Sequence, residues 1–225
     1  MDMQERMKDI ERYIQSYFVQ ESSGLKFARE NSRALGVKSI HVPPHIGKLL
    51  YILTKTHRPK KILEIGTLAG YSALWMAEGL PSDGKILSLE KHEQLASLAR
   101  NHIQHAGLQD QIEVRTGEAL VLLRSMIEKK EGPFDLIFLD ADKENYPSYL
   151  EHLVSLSRSG TLLITDNLIA KSGEIGSPSP LDRVANRLHE FTQNLSSHPR
   201  LETVLSTTIV GEKTRLDALG ISIVK

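Results

Sequence analysis

Apolar residues recur along the chain with two different periods, and the change of period predicts where helices and strands alternate. Helical spacing at residues 7–18 and again after Pro43-Pro44 predicts two amphipathic helices, with a more polar helix at 23–33 between them. From residue 61 onward, short apolar runs alternate with amphipathic stretches, and the predicted strands are 61–65, 85–90, 112–115, 134–140 and 161–166. Buried strands that alternate with helices are typical of a parallel sheet covered on both faces.

The last third of the chain breaks this alternation. Residues 171–180 (KSGEIGSPSP) are rich in Gly, Ser and Pro, which predicts an exposed loop. A helix is predicted after it, with Leu181 and Phe191 on its apolar side. Two further strands, at 201–210 and 219–224, close the chain.

The chain contains no internal repeat, linker or low-complexity tail. We therefore expect one domain over residues 1–225, a length that suits a single large α/β unit. Residues 1–56 precede the first strand and are expected to form helices. The apolar stripe of the helix at 7–18 is expected to cover either the domain or a second subunit.

The composition excludes several classes of protein. Lys plus Arg and Asp plus Glu number 28 each, so no net field directs the chain to nucleic acid or to an anionic membrane. The absence of cysteine excludes disulfides and thiolate metal sites. The polar N-terminus is unlike a signal peptide, and no apolar run approaches the roughly 18 residues of a membrane span. A soluble, cytoplasmic protein is expected.

A glycine turn follows the first predicted strand and leads into a helix, where α/β sheets bind ligands. Its spacing is G-x-x-x-G and differs from the G-x-G-x-x-G that cradles a dinucleotide. Glu90 ends the next strand, where a carboxylate can accept hydrogen bonds from ribose hydroxyls. Glu64 suits a positively charged cofactor, and Ser72 lies where a helix N-terminus favours a carboxylate. These features favour S-adenosylmethionine (SAM) over NAD, although a tight turn and a solvated strand end are the ordinary alternatives.

Acidic and amide side chains end two consecutive strands. Asp140 ends one of them, and Asp166 and Asn167 end the next. If a right-handed crossover makes these strands neighbours, the three oxygen donors meet at one edge of the sheet. Two carboxylates and an amide suit Mg²⁺, with Mn²⁺ or Ca²⁺ as alternatives. Taken singly, each residue is also a common strand end or helix cap.

Lys143 follows Asp140 by three residues and can reach the same edge. A nearby cation disfavours an ammonium, so Lys143 is a candidate general base. A solvated surface lysine is the alternative.

Four segments together resemble the cation-dependent class I O-methyltransferases of the caffeoyl-CoA and catechol type: LEIGTLAGYSALWMA (63–77), GEAL (117–120), FDLIFLDADKENY (134–146) and TDN (165–167). The resemblance extends from about Tyr13 to the C-terminus. It implies a Rossmann-like α/β fold with a seven-stranded, mostly parallel sheet, the last strand antiparallel and helices on both faces. It also implies a homodimer that uses SAM and a divalent cation to methylate one hydroxyl of a catechol-type small molecule.

The resemblance assigns roles to individual residues. The cation would bind Asp140, Asp166 and Asn167, and Lys143 would take the proton of the acceptor hydroxyl. The implied cofactor contacts are Val42, Glu64, Gly66, Thr67, Ser72, Glu90, Ala119 and Asp142.

Three segments depart from the family pattern: Ile40-His41, the stretch 168–180 and the stretch 210–217. All three lie around the acceptor or its lid, so the departures leave the reaction intact and the acceptor open.

Three other functions stay open at this point. The first is a tRNA hydroxyuridine O-methyltransferase of the same fold, against which neutral charge and the lack of an RNA-binding appendage count. The second is a non-catalytic cofactor-binding protein, which the complete set of predicted ligands with Lys143 disfavours. The third is an NAD oxidoreductase, which the glycine spacing disfavours.

Overall fold

A computed structural model describes residues 2–37, 42–171, 174–210 and 215–225. The helices are α1 (Met3–Phe18), α2 (Ser23–Ala34), α3 (Pro44–His57), α4 (Tyr71–Gly79), α5 (Glu93–His105), α6 (Ala119–Glu128), α7 (Tyr146–Ser155) and α8 (Arg183–Ser197). The strands are β1 (Lys61–Ile65), β2 (Lys85–Glu90), β3 (Ile112–Thr116), β4 (Phe134–Leu139), β5 (Ser157–Thr165), β6 (Leu201–Val210) and β7 (Arg215–Val224). A 3₁₀ turn at Lys143–Asn145 leads into α7.

Within these residues the strands form one seven-stranded sheet of order β3-β2-β1-β4-β5-β7-β6. Strands β1 to β5 pair in parallel, whereas β7 runs antiparallel to both of its neighbours. The predicted Rossmann-like α/β fold with an antiparallel last strand is therefore confirmed. The strand order reverses between β1 and β4, and ligands of such sheets bind at the carboxyl ends of the strands beside that reversal.

The sheet separates two apolar layers. Leu50 and Trp75 belong to the layer under α2 to α5, while Leu153 and Phe191 belong to the layer under α6 to α8. Both faces of the parallel strands are therefore covered, which explains why those strands are nearly continuous apolar runs. The two layers hold the sheet in place from both faces, and the site is built at its carboxyl edge.

The strands at 61–65, 85–90 and 201–210 are confirmed at both ends. The prediction for Leu181 is wrong: it is 96% exposed and lies before α8, because Asp182 caps that helix by accepting a hydrogen bond from the Ala185 N–H at 2.9 Å. Strand β7 begins at Arg215, before the predicted 219, since it pairs with β6 over the whole length of both strands. Helix α6 is an addition to the predicted elements.

Helix α1 buries none of its residues. Tyr13, Tyr17 and Phe18 are 59%, 73% and 63% exposed, so the domain leaves the aromatic part of the predicted apolar stripe uncovered. In the described part of the chain, no helix is both long enough and apolar enough to cross a bilayer. We propose that the stripe packs against a second copy of this chain, since contiguous exposed aromatic surface marks interaction sites.

The turns that follow β1 and β4 touch each other. Gly66 has a φ of +95°, and a Cβ atom at this position would lie 2.1 Å from the carbonyl oxygen of Asp140. The Asp140 N–H in turn donates to the Ile65 carbonyl at 3.0 Å. Glycine at position 66 is therefore required both by the left-handed backbone and by the approach of the neighbouring turn.

Replacing Gly66 with alanine is expected to destabilise the protein by about 1–3 kcal/mol or more, because strain and collision with backbone add. Chemical denaturation measures this change in the free energy of unfolding. Gly107→Ala is the matched control, since Gly107 has a similar φ of +71° and nothing lies within 4 Å of the place that its methyl group would occupy. A Gly66→Ala variant as stable as Gly107→Ala would contradict the close approach.

If α1 forms a subunit contact, the chain is a dimer by light scattering, and Tyr17→Glu combined with Phe18→Glu converts it to a monomer. Buried charge without a partner opposes association strongly. Arg12→Glu, an exposed change on the same helix, is expected to leave the dimer intact. A wild-type monomer at micromolar concentration would refute the proposal.

Candidate active site

A cavity of about 910 Å³ opens at the carboxyl ends of β1, β2 and β4. One wall is the turn after β1 with the end of β2, and the opposite wall is the segment after β5 with the start of α8. Small-molecule sites have volumes of about 300–1,000 Å³, so this cavity has room for a cofactor and a small second ligand.

Most of the predicted site residues line this cavity: Val42, Gly66, Thr67, Ser72, Glu90, Ala119, Asp140, Asp142, Lys143 and Asn167. Glu64 and Asp166 lie behind its wall, with 0% and 1% exposure. Ile40 and His41, named above as departures, fall outside the described residues.

Glu64 is compensated by hydroxyl groups. Ser72 and Thr67 donate to its carboxylate at 2.5 and 2.8 Å, and Ser88 donates to it as well. Burial raises the pKa of Glu64, and these three hydrogen bonds oppose that rise. Since Glu64 is enclosed, it acts on the cavity through Thr67 and Ser72, whose positions it fixes.

Glu90 joins two turns at the mouth of the cavity. Its two oxygens accept hydrogen bonds from the backbone N–H groups of Leu68, at 2.8 Å, and His92, at 2.9 Å. Leu68 has a φ of +49°, a conformation that costs a non-glycine residue about 1–2 kcal/mol. Glu90 is only 7% exposed, so it is no solvated strand end. Its carboxylate stabilises the glycine turn and lines the cavity.

Two tyrosines that sequence reasoning missed support the cavity. The Tyr149 hydroxyl donates to Asp142 at 2.6 Å and thereby orients a carboxylate of the lining. The Tyr71 hydroxyl donates to Glu21 at 2.6 Å and ties α4 to the start of α2. Their only sequence signal is an aromatic residue in the first turn of a helix that follows a strand end.

Lys143 lies between Asp140 and Tyr146. Its Nζ donates to the Asp140 carboxylate at 2.8 Å and to the Tyr146 hydroxyl at 2.6 Å. That hydroxyl donates in turn to the backbone carbonyl of Asp166 at 2.9 Å. Burial lowers the pKa of Lys143, but Asp140 and Tyr146 outweigh it and raise the pKa above the ordinary lysine value. The ammonium is therefore favoured as long as Lys143 has Asp140 to itself.

The strand order brings the predicted cation ligands to one edge. Leu139 pairs with Thr165 across the parallel strands β4 and β5, so the residues that follow emerge at the same level. Asp166 accepts a hydrogen bond from the Asn167 N–H at 2.8 Å. Burial and the charge of Asp140 raise the pKa of Asp166.

These residues fit a hard divalent cation. Added positive charge relieves the repulsion between Asp140 and Asp166, and an amide oxygen is an accepted third ligand for Mg²⁺ or Ca²⁺. Among the residues that the structure describes, no three His, Cys, Asp or Glu side chains are grouped to hold a metal. The third protein ligand would be the Asn167 amide, as the resemblance implies.

The cofactor end of the cavity is acidic. Glu90, Glu118 and Asp142 line it, and Lys91 pairs with Glu118 at 2.9 Å. Negative charge at this position attracts a cofactor that carries a sulfonium and repels the pyrophosphate of a dinucleotide.

Known proteins resemble this chain in both sequence and fold. A family model described as O-methyltransferase matches residues 15–213. Catechol O-methyltransferase from Niastella koreensis is 35% identical over 97% of both chains, and caffeoyl-CoA O-methyltransferase 1 from Eucalyptus globulus is 38% identical over 69% of this chain and 66% of that one. The O-methyltransferase from Bacillus cereus in complex with SAH superimposes with a TM-score of 0.92 at 36% identity, covering 99% of this chain and 100% of that one. Because the family model and the Niastella and Bacillus proteins match most or nearly all of the chain, the protein belongs to the O-methyltransferase family and is a SAM-dependent O-methyltransferase.

Proposed function

We propose that this enzyme methylates one hydroxyl of a vicinal dihydroxy aromatic, with a divalent cation, most simply Mg²⁺, held by Asp140, Asp166 and Asn167. The observation that carries the proposal is that Asp140, Lys143 and Asn167 line one cavity, while the carboxylate of Asp166 is buried directly behind its wall. The names of the relatives, catechol and caffeoyl-CoA O-methyltransferase, support the same acceptor class. Two adjacent hydroxyls would offer a cation two oxygen donors, whereas a monophenol would offer one.

The far wall of the cavity supports a flat apolar acceptor. Ile169, Ala170, Val184 and Leu188 contribute to it. An aromatic ring that packs against these side chains would direct its hydroxyls toward Asp140 and Asn167, since specificity in such pockets comes from a few polar groups in an apolar wall.

SAM, when bound, supplies a methyl group on a positively charged sulfur. A divalent cation, when bound, lowers the pKa of the acceptor hydroxyl and fixes its oxygen. Once a bound cation takes up the charge of Asp140, the Lys143 ammonium would release its proton to solvent, and the neutral Nζ would then accept the proton of the acceptor hydroxyl while Tyr146 keeps the amine in place. Glu90 and the glycine turn orient the donor, so much of the rate is supplied by positioning the two reactants.

Removing the cation is expected to abolish turnover. With SAM and catechol-type acceptors, mass spectrometry should show a gain of one methyl that EDTA eliminates and excess Mg²⁺ restores. A matched monophenol, lacking one of the two hydroxyls, should give no product. SAM binding, measured by calorimetry, should persist in EDTA because Glu90 and the glycine turn do not depend on the cation.

Turnover that survives EDTA would remove the cation from the mechanism while leaving the O-methyltransferase intact. Equal turnover of catechol and monophenol would remove the vicinal diol from the acceptor class.

Lys143→Gln is expected to lower kcat by about 10²- to 10⁴-fold, the usual contribution of a general base. Its affinity for the cation should stay the same or increase, since Lys143 competes for Asp140. Lys60→Gln breaks a Lys–Asp pair with Asp83, at 3.0 Å, away from the cavity and serves as the control. An unchanged kcat in Lys143→Gln would show that the lysine is not the base.

A further inference from the structure

Asp217 is a buried carboxylate beside the proposed cation site. It lies on β7 and is 1% exposed, and the sequence predicts no individual role for it within the divergent stretch 210–217. One oxygen accepts hydrogen bonds from the N–H groups of Ile169 at 2.9 Å and Ala218 at 2.8 Å. The other accepts one from the Asn167 side chain at 3.2 Å and pairs with Arg215 at 2.5 Å. Both oxygens are thus committed, and Asp217 is not itself a ligand.

The contact with Asn167 has a definite direction. A side-chain amide offers one oxygen, which can bind a cation, and one NH₂ group, which cannot. Because the NH₂ group of Asn167 donates to Asp217, the amide oxygen is directed away from Asp217. Asn167 itself lines the cavity.

The hydrogen bond between Asn167 and Asp217 also stabilises an unusual backbone conformation at Asn167. Its φ of +57° lies in the left-handed region, which asparagine tolerates better than most residues but does not prefer. Asp217 binds both the side chain of Asn167 and the N–H of Ile169, so it fixes the segment on either side of this strained residue. Arg215 neutralises the buried carboxylate and also donates to the Ile169 carbonyl at 3.4 Å.

We propose that Asp217 is a positioning residue that orients the Asn167 amide so that its oxygen faces the divalent cation. The proposal rests on the proposed function, since it requires a cation at Asp140, Asp166 and Asn167. Partners that orient the ligands of a metal typically change its affinity by about 10- to 100-fold when they are removed.

The test is a titration of the full-length protein with Mn²⁺, with free Mn²⁺ followed by electron paramagnetic resonance and SAM affinity measured in parallel. Asp217→Asn, which keeps the shape but places an NH₂ group beside the NH₂ group of Asn167, is expected to weaken Mn²⁺ binding by about 10- to 100-fold. SAM affinity is expected to stay at the wild-type value. Combined with Asn167→Ala, the change at Asp217 should have little further effect on Mn²⁺ affinity, because the carboxylate acts through the amide.

An exchange of the two side chains separates orientation from general damage. Asn167→Asp together with Asp217→Asn reverses donor and acceptor but keeps one hydrogen bond, the total charge and an oxygen toward the cation. The Mn²⁺ affinity of this double variant should be closer to that of the wild type than to that of Asn167→Ala. If Asp217→Asn alone does not fold, this comparison decides the question by itself.

Asp135→Asn is the matched control. Asp135 also accepts from two backbone N–H groups, those of Lys60 and Lys61, and pairs with Arg158, but it lies at the opposite end of β4. Its Mn²⁺ affinity should equal that of the wild type.

The role of Asp217 would be overturned if Asp217→Asn bound Mn²⁺ with wild-type affinity, or if the double exchange bound Mn²⁺ no more tightly than Asn167→Ala. The proposed cation site would survive either result. A wild-type protein that binds no Mn²⁺ would overturn the cation site of the proposed function, and this role with it.

Discussion

The burial of acidic side chains along the carboxyl edge of the sheet is the constraint on which the rest of the site depends. A buried carboxylate must be compensated by donors or by charge, or it will not stay ionised. Glu64 is compensated by hydroxyls, Glu90 by backbone N–H groups, and Asp217 by backbone N–H groups and an arginine. The donors belong to the turns, helices and strands around the cavity, so the same hydrogen bonds that stabilise these buried carboxylates also fix the walls of the cavity.

Asp140 and Asp166 are compensated differently. Lys143 is hydrogen-bonded to Asp140, and the charge of Asp140 bears on the buried Asp166. On the proposed function, the lysine and the cation are alternative partners of Asp140. Lys143 would therefore maintain the charge balance of the site before the cation arrives and become a proton acceptor afterwards, with Tyr146 as its constant partner.

The strand ends and the residues on them could be predicted from the sequence, because each buried strand is an apolar run that stops at a polar residue. Parallel pairing then brings Asp140, Asp166 and Asn167 to one edge without further information. The burial of Glu64 was harder to foresee. Alternate residues of a strand point to opposite faces of the sheet, and here both faces are covered. The Glu64 side chain is also enclosed by hydroxyl groups from three different elements.

Asp217 could not have been found in this way. Its contact with Asn167 depends on the antiparallel register of β5 and β7, which joins residues 50 positions apart in the sequence. The segment around it is polar and is easily taken for a turn, while its strand character comes from the full-length pairing with β6. Leu181 shows the converse error, in which a residue is assigned to an element that it lies outside. Helical spacing alone cannot distinguish an apolar residue of a helix from one that precedes its N-cap.

The strand order has a consequence for how such an enzyme can diversify. On the proposed function, the segments after β1, β2 and β3 contribute most residues of the cofactor end, whereas the segment after β5 and helix α8 contribute most of the acceptor wall. The two parts of the cavity are then encoded largely by successive stretches of the gene. Substitutions, insertions or exchanged segments in the second stretch reshape the acceptor wall while the first is inherited unchanged. Sequence change can therefore alter which acceptor binds while the site for the methyl donor stays the same.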